Sequence, residues 1–196
     1  MPRLMLIAFL GLLLLGVAGA DIGALQRAGR ADETDSHLIT LSEMGRVRLD
    51  MTLDQARTAL PAASFARTSD GDGAALVQVA LGRDDSLIVW AQENDPATSI
   101  DWSKKIVTIE TFSGTFHTRE GVHPGSLVTD VIKLFGPVRE IVESEIEARQ
   151  YVTFERQHRA LTFRLDDTGI FSPGSRRTTH FAPTSKILSI AISSLP

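Results

Sequence analysis

Two stretches of this sequence, GRVRLDMTLDQARTALP from Gly45 and GVHPGSLVTDVIKLFGP from Gly121, share the layout of a capped short helix. In the first, Thr52 with Gln55 three residues on forms a capping-box pattern, Leu53, Ala56 and Leu60 make the apolar stripe, and Pro61 stops the helix. In the second, Ser126 takes the cap role, Leu127, Val131 and Leu134 form the stripe, and Gly136-Pro137 is the stop. Leu53 and Leu127 lie 74 residues apart, as do Leu60 and Leu134. The same offset maps the strand-like runs 64–68, 75–81 and 86–90 onto 138–142, 149–155 and 160–164. KIVTI (105–109) matches KILSI (186–190) at an offset of 81, so seven extra residues fall near GIFSPGSRRTTHFAPTS, a Gly/Pro/Ser-rich loop (169–185).

A helix followed by four strands, twice, predicts an α+β fold. The expectation is a tandem repeat of a short helix plus a four-stranded antiparallel sheet, with the helices packed on one sheet face. One such unit of about 75 residues is marginal alone, and two packed as neighbours share a core. The expected divisions are a signal peptide over 1–20, a lead-in segment over 21–44, a first repeat over 45–116 and a second over 117–196.

The first twenty residues, MPRLMLIAFLGLLLLGVAGA, carry one positive residue, Arg3, then an apolar run and the small-residue end Ala18-Gly19-Ala20. This is secretory signal grammar with cleavage after Ala20; the alternative is an uncleaved anchor, since the run nears the minimum that spans a bilayer. Taking 20 from 196 residues leaves 176, and losing Arg3 leaves 19 Lys+Arg against 24 Asp+Glu, a net charge of −5. A mildly acidic chain gives no electrostatic reason to bind nucleic acid or an anionic membrane. The chain has no Cys. Disulfides, thiol catalysis, Cys-ligated zinc and lipidation of a Cys are thereby excluded. The expected location is periplasmic or secreted.

The phrases VRLDMTLDQARTALP and VHPGSLVTDVIKLFGP resemble the opening of small bacterial envelope modules. Those modules are the outer-membrane assembly lipoproteins of the SmpA/OmlA type, the tandem units of β-lactamase-inhibitor protein, and a group of uncharacterised exported proteins and lipoproteins. Asp50 stands where the pattern has Gly, and the lipobox Cys is missing. The resemblance implies a protein that binds other proteins without cofactor or catalysis, and it carries over no binding residue.

Alternation places Leu161, Phe163 and Leu165 on one strand face with Thr162 and Arg164 on the other, and by the offset Leu87 and Val89 inward with Ile88 and Trp90 outward. The second strands disagree in phase, Val77/Val79/Leu81 against Val152/Phe154. The open face defines an expected contact set of Ile88, Trp90, Tyr151, Thr162 and Arg164; the alternative for Trp90 is burial under the lead-in segment or the other copy.

His117, Glu120 and His123 stand at three-residue steps and define the other candidate, a metal-assisted hydrolase. Their spacing misses the i, i+4 rule for helical His ligands, and Gly121 and Pro124-Gly125 rule out a regular helix, so a loop, with His158 or His180 as a further ligand, would have to gather them. SDGDG (69–73) reads as a hairpin turn sooner than a calcium loop. The carboxylates of ESEIEAR (143–149), Asp84-Asp85 and Asp166-Asp167 read as solvated turn charges, and Arg176-Arg177 as a loop pair open to an acidic partner. No nucleophile elbow, P-loop or dinucleotide fingerprint is present. The functional expectation is an exported envelope binding or accessory protein acting through its open sheet face. A third possibility is an apolar ligand between the two layers.

Overall fold

The computed structural model describes residues 35–93 and 95–194, which belong to one compact unit. The expected signal peptide and most of the expected lead-in segment lie outside the described residues.

The chain opens with three two-residue strands, β1 (Leu38–Ile39), β2 (Glu43–Met44) and β3 (Val47–Arg48), then helix α1 (Leu53–Ala59). Strands β4 (Ser64–Ser69), β5 (Ala75–Ala80), β6 (Ser86–Glu93) and β7 (Thr108–Thr111) follow. After β8 (His117–Thr118) and α2 (Val128–Phe135) come β9 (Val138–Glu143), β10 (Gln150–Phe154), β11 (Leu161–Leu165), β12 (Arg177–Thr178) and β13 (Ile187–Ser193).

The expected class is overturned. Strand dominates, and the two helices among the described residues are short. In place of two four-stranded sheets there is one nine-stranded sheet, ordered β12-β9-β10-β11-β13-β7-β6-β5-β4, and a separate four-stranded sheet, β3-β2-β1-β8. The junction is the antiparallel pair β7–β13, in which Ile190 faces Thr111 and Ile192 faces Ile109. A four-stranded meander leaves an edge of unpaired N–H and C=O groups, and joining two of them edge to edge satisfies both rows. The small sheet was not expected at all: β1 pairs in parallel with β8, carrying Leu38 and Ile39 beside His117 and Thr118. The loop read as elaborated contributes β12, which lengthens the large sheet beyond β9.

Both helices are too short to persist alone and are held by tertiary contacts. Thr52 caps α1 in the expected box: its hydroxyl accepts from the Gln55 N–H while Gln55 Oε1 accepts from the Thr52 N–H. The next free donors of α1 reach the loop before β7, Leu53 N–H to Lys104 O and Asp54 N–H to Trp102 O, both 3.0 Å. At α2 the cap expected of Ser126 is absent. Leu127 is the N-cap residue without a side-chain cap, and Ser126 Oγ accepts from the His123 N–H instead. The Val128 N–H donates to Ser185 O. Isolated bridges Thr52–Lys105 and Leu127–Lys186 show that the equivalent positions are one residue further apart than the 74-residue offset. The stripe of α2 is therefore Val128, Val131 and Phe135, while Leu127 and Leu134 are exposed. The same shift places Asp50 against Gly125, and both adopt positive φ, 65° and 94°.

A single apolar cluster binds these parts. It takes Leu53 and Ala56 from α1, Val131 and Phe135 from α2, Ile39, Met44 and Val47 from the small sheet, and one face of the large sheet. Phe135 stacks on Phe154 and Phe163, which lie edge to face with centroids 5.8 Å apart. Val77, Val79, Val152 and Phe154 all point into this core, so the apparent phase conflict of the second strands comes only from the one-residue shift.

Candidate functional site

The opposite face of the large sheet carries the expected contact residues. Cross-strand register places Gln78 beside Ile88, Leu76 beside Trp90, Ile88 beside Glu110, and Tyr151 beside Arg164. Across the β7–β13 junction Glu110 neighbours Ala191, whose partner on β11 is Thr162. Ile88, Trp90, Tyr151, Thr162 and Arg164 thus share one continuous surface. Thr162 is exposed and the other four are half-buried.

This face curls. The β4–β5 and β9–β10 turns lie toward opposite ends of the strand order, yet Asp70 and Asp72 from one and Glu147 from the other bring carboxylate oxygens within 4.8 Å of one another. The right-handed twist of a long sheet and its bulges, two of them in β10 and β11, allow such rolling. Between the two turns lies a groove of about 410 Å³. Leu76, Ile88, Trp90 and Phe112 form its apolar floor, and Asp70, Glu110, Arg149 and Arg164 supply its charge. Phe112 is 45% exposed, which is unusual for a large aromatic side chain.

The charged groups of the groove are not equivalent. Glu110 accepts a 2.5 Å hydrogen bond from Ser189 Oγ. Arg149 forms an ion pair with Glu147. Partial burial works against the Arg149 charge, but hydrogen bonding to Tyr151 and the fields of Glu147, Tyr151 and Glu110 outweigh it and raise the pKa above the ordinary arginine value. Arg164 is different: its buried Nε–H has no hydrogen-bond partner among the described residues.

The His117, Glu120 and His123 trio is not brought together. His117 Nε2 lies 3.1 Å from Asp35 Oδ2 and its Nδ1 3.2 Å from Thr115 O. His123 Nδ1 is 2.8 Å from Pro124 O. Glu120 sits in the turn between Thr118 and Val122 and lines a separate groove with Arg156 and His158. Among the described residues, the group of three acidic or His side chains with ligand atoms within 4.8 Å of one another is Asp70, Asp72 and Glu147. Much of that cluster's capacity is engaged, since Asp70 Oδ1 accepts from the Asp72 and Ala74 N–H groups and Glu147 is neutralised by Arg149. Its two halves are visible in the sequence as SDGDG and ESEIEAR, but nothing local shows that they meet.

Of the remaining candidates, Asp85 accepts from Ser113 Oγ and Thr115 Oγ1, both 2.7 Å. Asp166 Oδ1 accepts from Thr168, and Arg177 pairs with Glu140 at 2.6 Å. The Asp85 and Asp166 bonds tie loops together, and the Arg177–Glu140 pair joins β12 to β9. Leu76, Glu110, Phe112 and Arg149 were not anticipated in the groove; the alternation that turns Val77 and Val79 inward was the available signal for Leu76.

No family model and no curated protein matches the chain. Among solved structures it is similar to the crystal structure of the uncharacterized protein yfeY from Escherichia coli. The two share 13% identity with a TM-score of 0.52, over 79% of this chain and 98% of that one. At that identity the likeness concerns the fold alone. No helix among the described residues is long and apolar enough to cross a membrane.

Proposed function

We propose that this chain is an exported binding or accessory protein of the bacterial envelope that contacts another protein through the open face of its large sheet. The observation that supports this reading is the groove, where Leu76, Ile88, Trp90 and Phe112 lie on the face turned away from the core. A solvated antiparallel sheet face ordinarily carries polar side chains. Half-buried aromatic and aliphatic groups ringed by charge have the make-up of a contact surface. The signal-like N-terminal sequence and the resemblance to envelope modules support a location outside the cytoplasm for such a surface.

Affinity capture from the native envelope fraction tests the reading, comparing the chain with its Trp90→Ala/Arg164→Ala variant and with an Arg139→Ala control. A specific partner lost with the double substitution and retained with the control supports the proposal. An unchanged set of captured proteins sinks it.

A further inference from the structure

We infer that the groove on the open face is a binding site for a small amphiphilic monoanion, a carboxylate with an aliphatic or aromatic body, whose head group is received by Arg164. The inference stands on the groove itself and goes beyond the protein contact proposed above.

Arg164 projects from β11 into the groove, and among the described residues its buried Nε–H has no partner and no carboxylate lies within ion-pair distance of its guanidinium. The Nε atom is too enclosed for a ligand oxygen to reach, so the head group is received by the terminal Nη groups, whose charge-assisted hydrogen bonds to it offset the guanidinium's partial withdrawal from water. The end of a planar guanidinium offers two Nη–H donors in parallel, a geometry that matches the two oxygens of a carboxylate. The other charges in the groove are already directed elsewhere, Arg149 to Glu147, Glu110 to Ser189, and Asp70 to the Asp72 and Ala74 N–H groups. Glu110 and Asp70 also limit the charge of the ligand. A fixed carboxylate in the same groove repels a dianion more than a monoanion, which disfavours a phosphate monoester.

The body of the ligand is set by the floor. Leu76, Ile88, Trp90 and Phe112 present aliphatic and aromatic surface beside the hydroxyls of Thr68, Ser69 and Thr108, and the volume of about 410 Å³ falls at the small end of ligand sites. The groove opens away from the core, so the ligand lies on the sheet and not between layers. Because Trp90 and Arg164 also belong to the proposed protein-contact face, the anion and a protein partner would compete for it.

The test is titration of the full chain with octanoate, octanamide, octylammonium and acetate. The readout is Trp90 fluorescence in a Trp102→Phe background, where Trp90 is the remaining one of two tryptophans. The expected result is saturable binding of octanoate, with octanamide and octylammonium weaker by about tenfold or more and acetate weaker still, the scale of one charge-assisted hydrogen bond. Arg164→Gln should lose the preference for octanoate over octanamide, Arg164→Lys should keep part of it, and Arg156→Gln, in the other groove, should leave it intact. Equal binding of octanoate and octanamide, or no saturable change with either, overturns the inference. If Arg164→Gln does not fold, the carboxylate-to-amide ratio of the unaltered groove decides. Failure here leaves envelope capture unaffected, and loss of the captured partner leaves the titration unaffected, so the two proposals fail separately.

Discussion

Arg67 of β4 and Glu93 at the end of β6 form an ion pair almost shielded from solvent, with side chains 16% and 6% exposed. Around it Arg67 donates to Thr98 O and Ser99 O, and Glu93 Oε2 accepts from the Asp101 N–H. The pair therefore anchors the segment after β6 whose Trp102 packs on Phe65 and under the Arg57 guanidinium. Removing one partner leaves the other charge buried and uncompensated. Glu93→Gln or Arg67→Met should each cost about 3–5 kcal/mol in urea unfolding, while the double substitution to apolar residues should cost distinctly less than the two single costs added together.

Acid should loosen the junction of the small sheet with the loop before β6. Hydrogen bonds from Thr115 and then Ser113, aided by His37 and opposed by partial burial, hold the Asp85 carboxyl below its ordinary value of 3.8. A depressed native pKa contributes stability that is present above 3.8 and is lost as pH falls through the lower native value. Asp85→Asn should be less stable at neutral pH and show a flatter loss of stability below pH 3.8, read from thermal melts across an acid series. An acid limb parallel to that of the unaltered chain would refute the assignment.

The register of α2 has a sharp mutational signature. Phe135 is 7% exposed and stacked on two rings, whereas its neighbour Leu134 is 44% exposed. Phe135→Ala should cost about 3–5 kcal/mol and Leu134→Ala less than about 1 kcal/mol, by chemical denaturation. The reverse ranking would mean that the stripe predicted from the sequence is the real one.

Gly45 turns the chain between β2 and β3 at φ 56°, and a Cβ there would lie 2.2 Å from the Ser36 carbonyl oxygen. Gly45→Ala adds a steric clash to the cost of left-handed backbone, about 1–2 kcal/mol. It should destabilise the chain by more than that amount and raise hydrogen exchange in β1 to β3. Gly121→Ala, at φ 87° with open space around the added carbon, should cost only the backbone contribution.

The legible parts of this fold are those written by neighbours in sequence. Thr52 and Gln55 announce a capping box because both partners lie within one helical turn. Leu161, Phe163 and Leu165 announce their face because alternation is a property of one strand, and the same rule turned Ile88 and Trp90 outward. Ser126 misled because a hydroxyl at a helix start can serve a turn instead, here by accepting from the His123 N–H. That single residue set the expected stripe of α2 on Leu134, whereas the buried one runs through Phe135.

Nothing local marked the remainder. Strands β1, β2 and β3 are two residues each and show no period, so a pairing of Leu38 with His117 has no sequence signature. The predicted sheets carried no information about their edges either, since backbone N–H and C=O groups are the same at every residue.

By itself, the sequence determined which short segments pair as hairpins, how one helix begins, and which side chains of β6 and β11 turn away from the core. Tertiary structure alone decided that β7 and β13 join two meanders into one sheet, that this sheet rolls until Asp70 and Glu147 approach, and that the Arg164 Nε–H finds no partner among the described residues beside an apolar floor. The physical reason is range. Capping and alternation act over a few residues, while edge pairing, rolling and the desolvation of a charge depend on groups that meet only after the chain has folded.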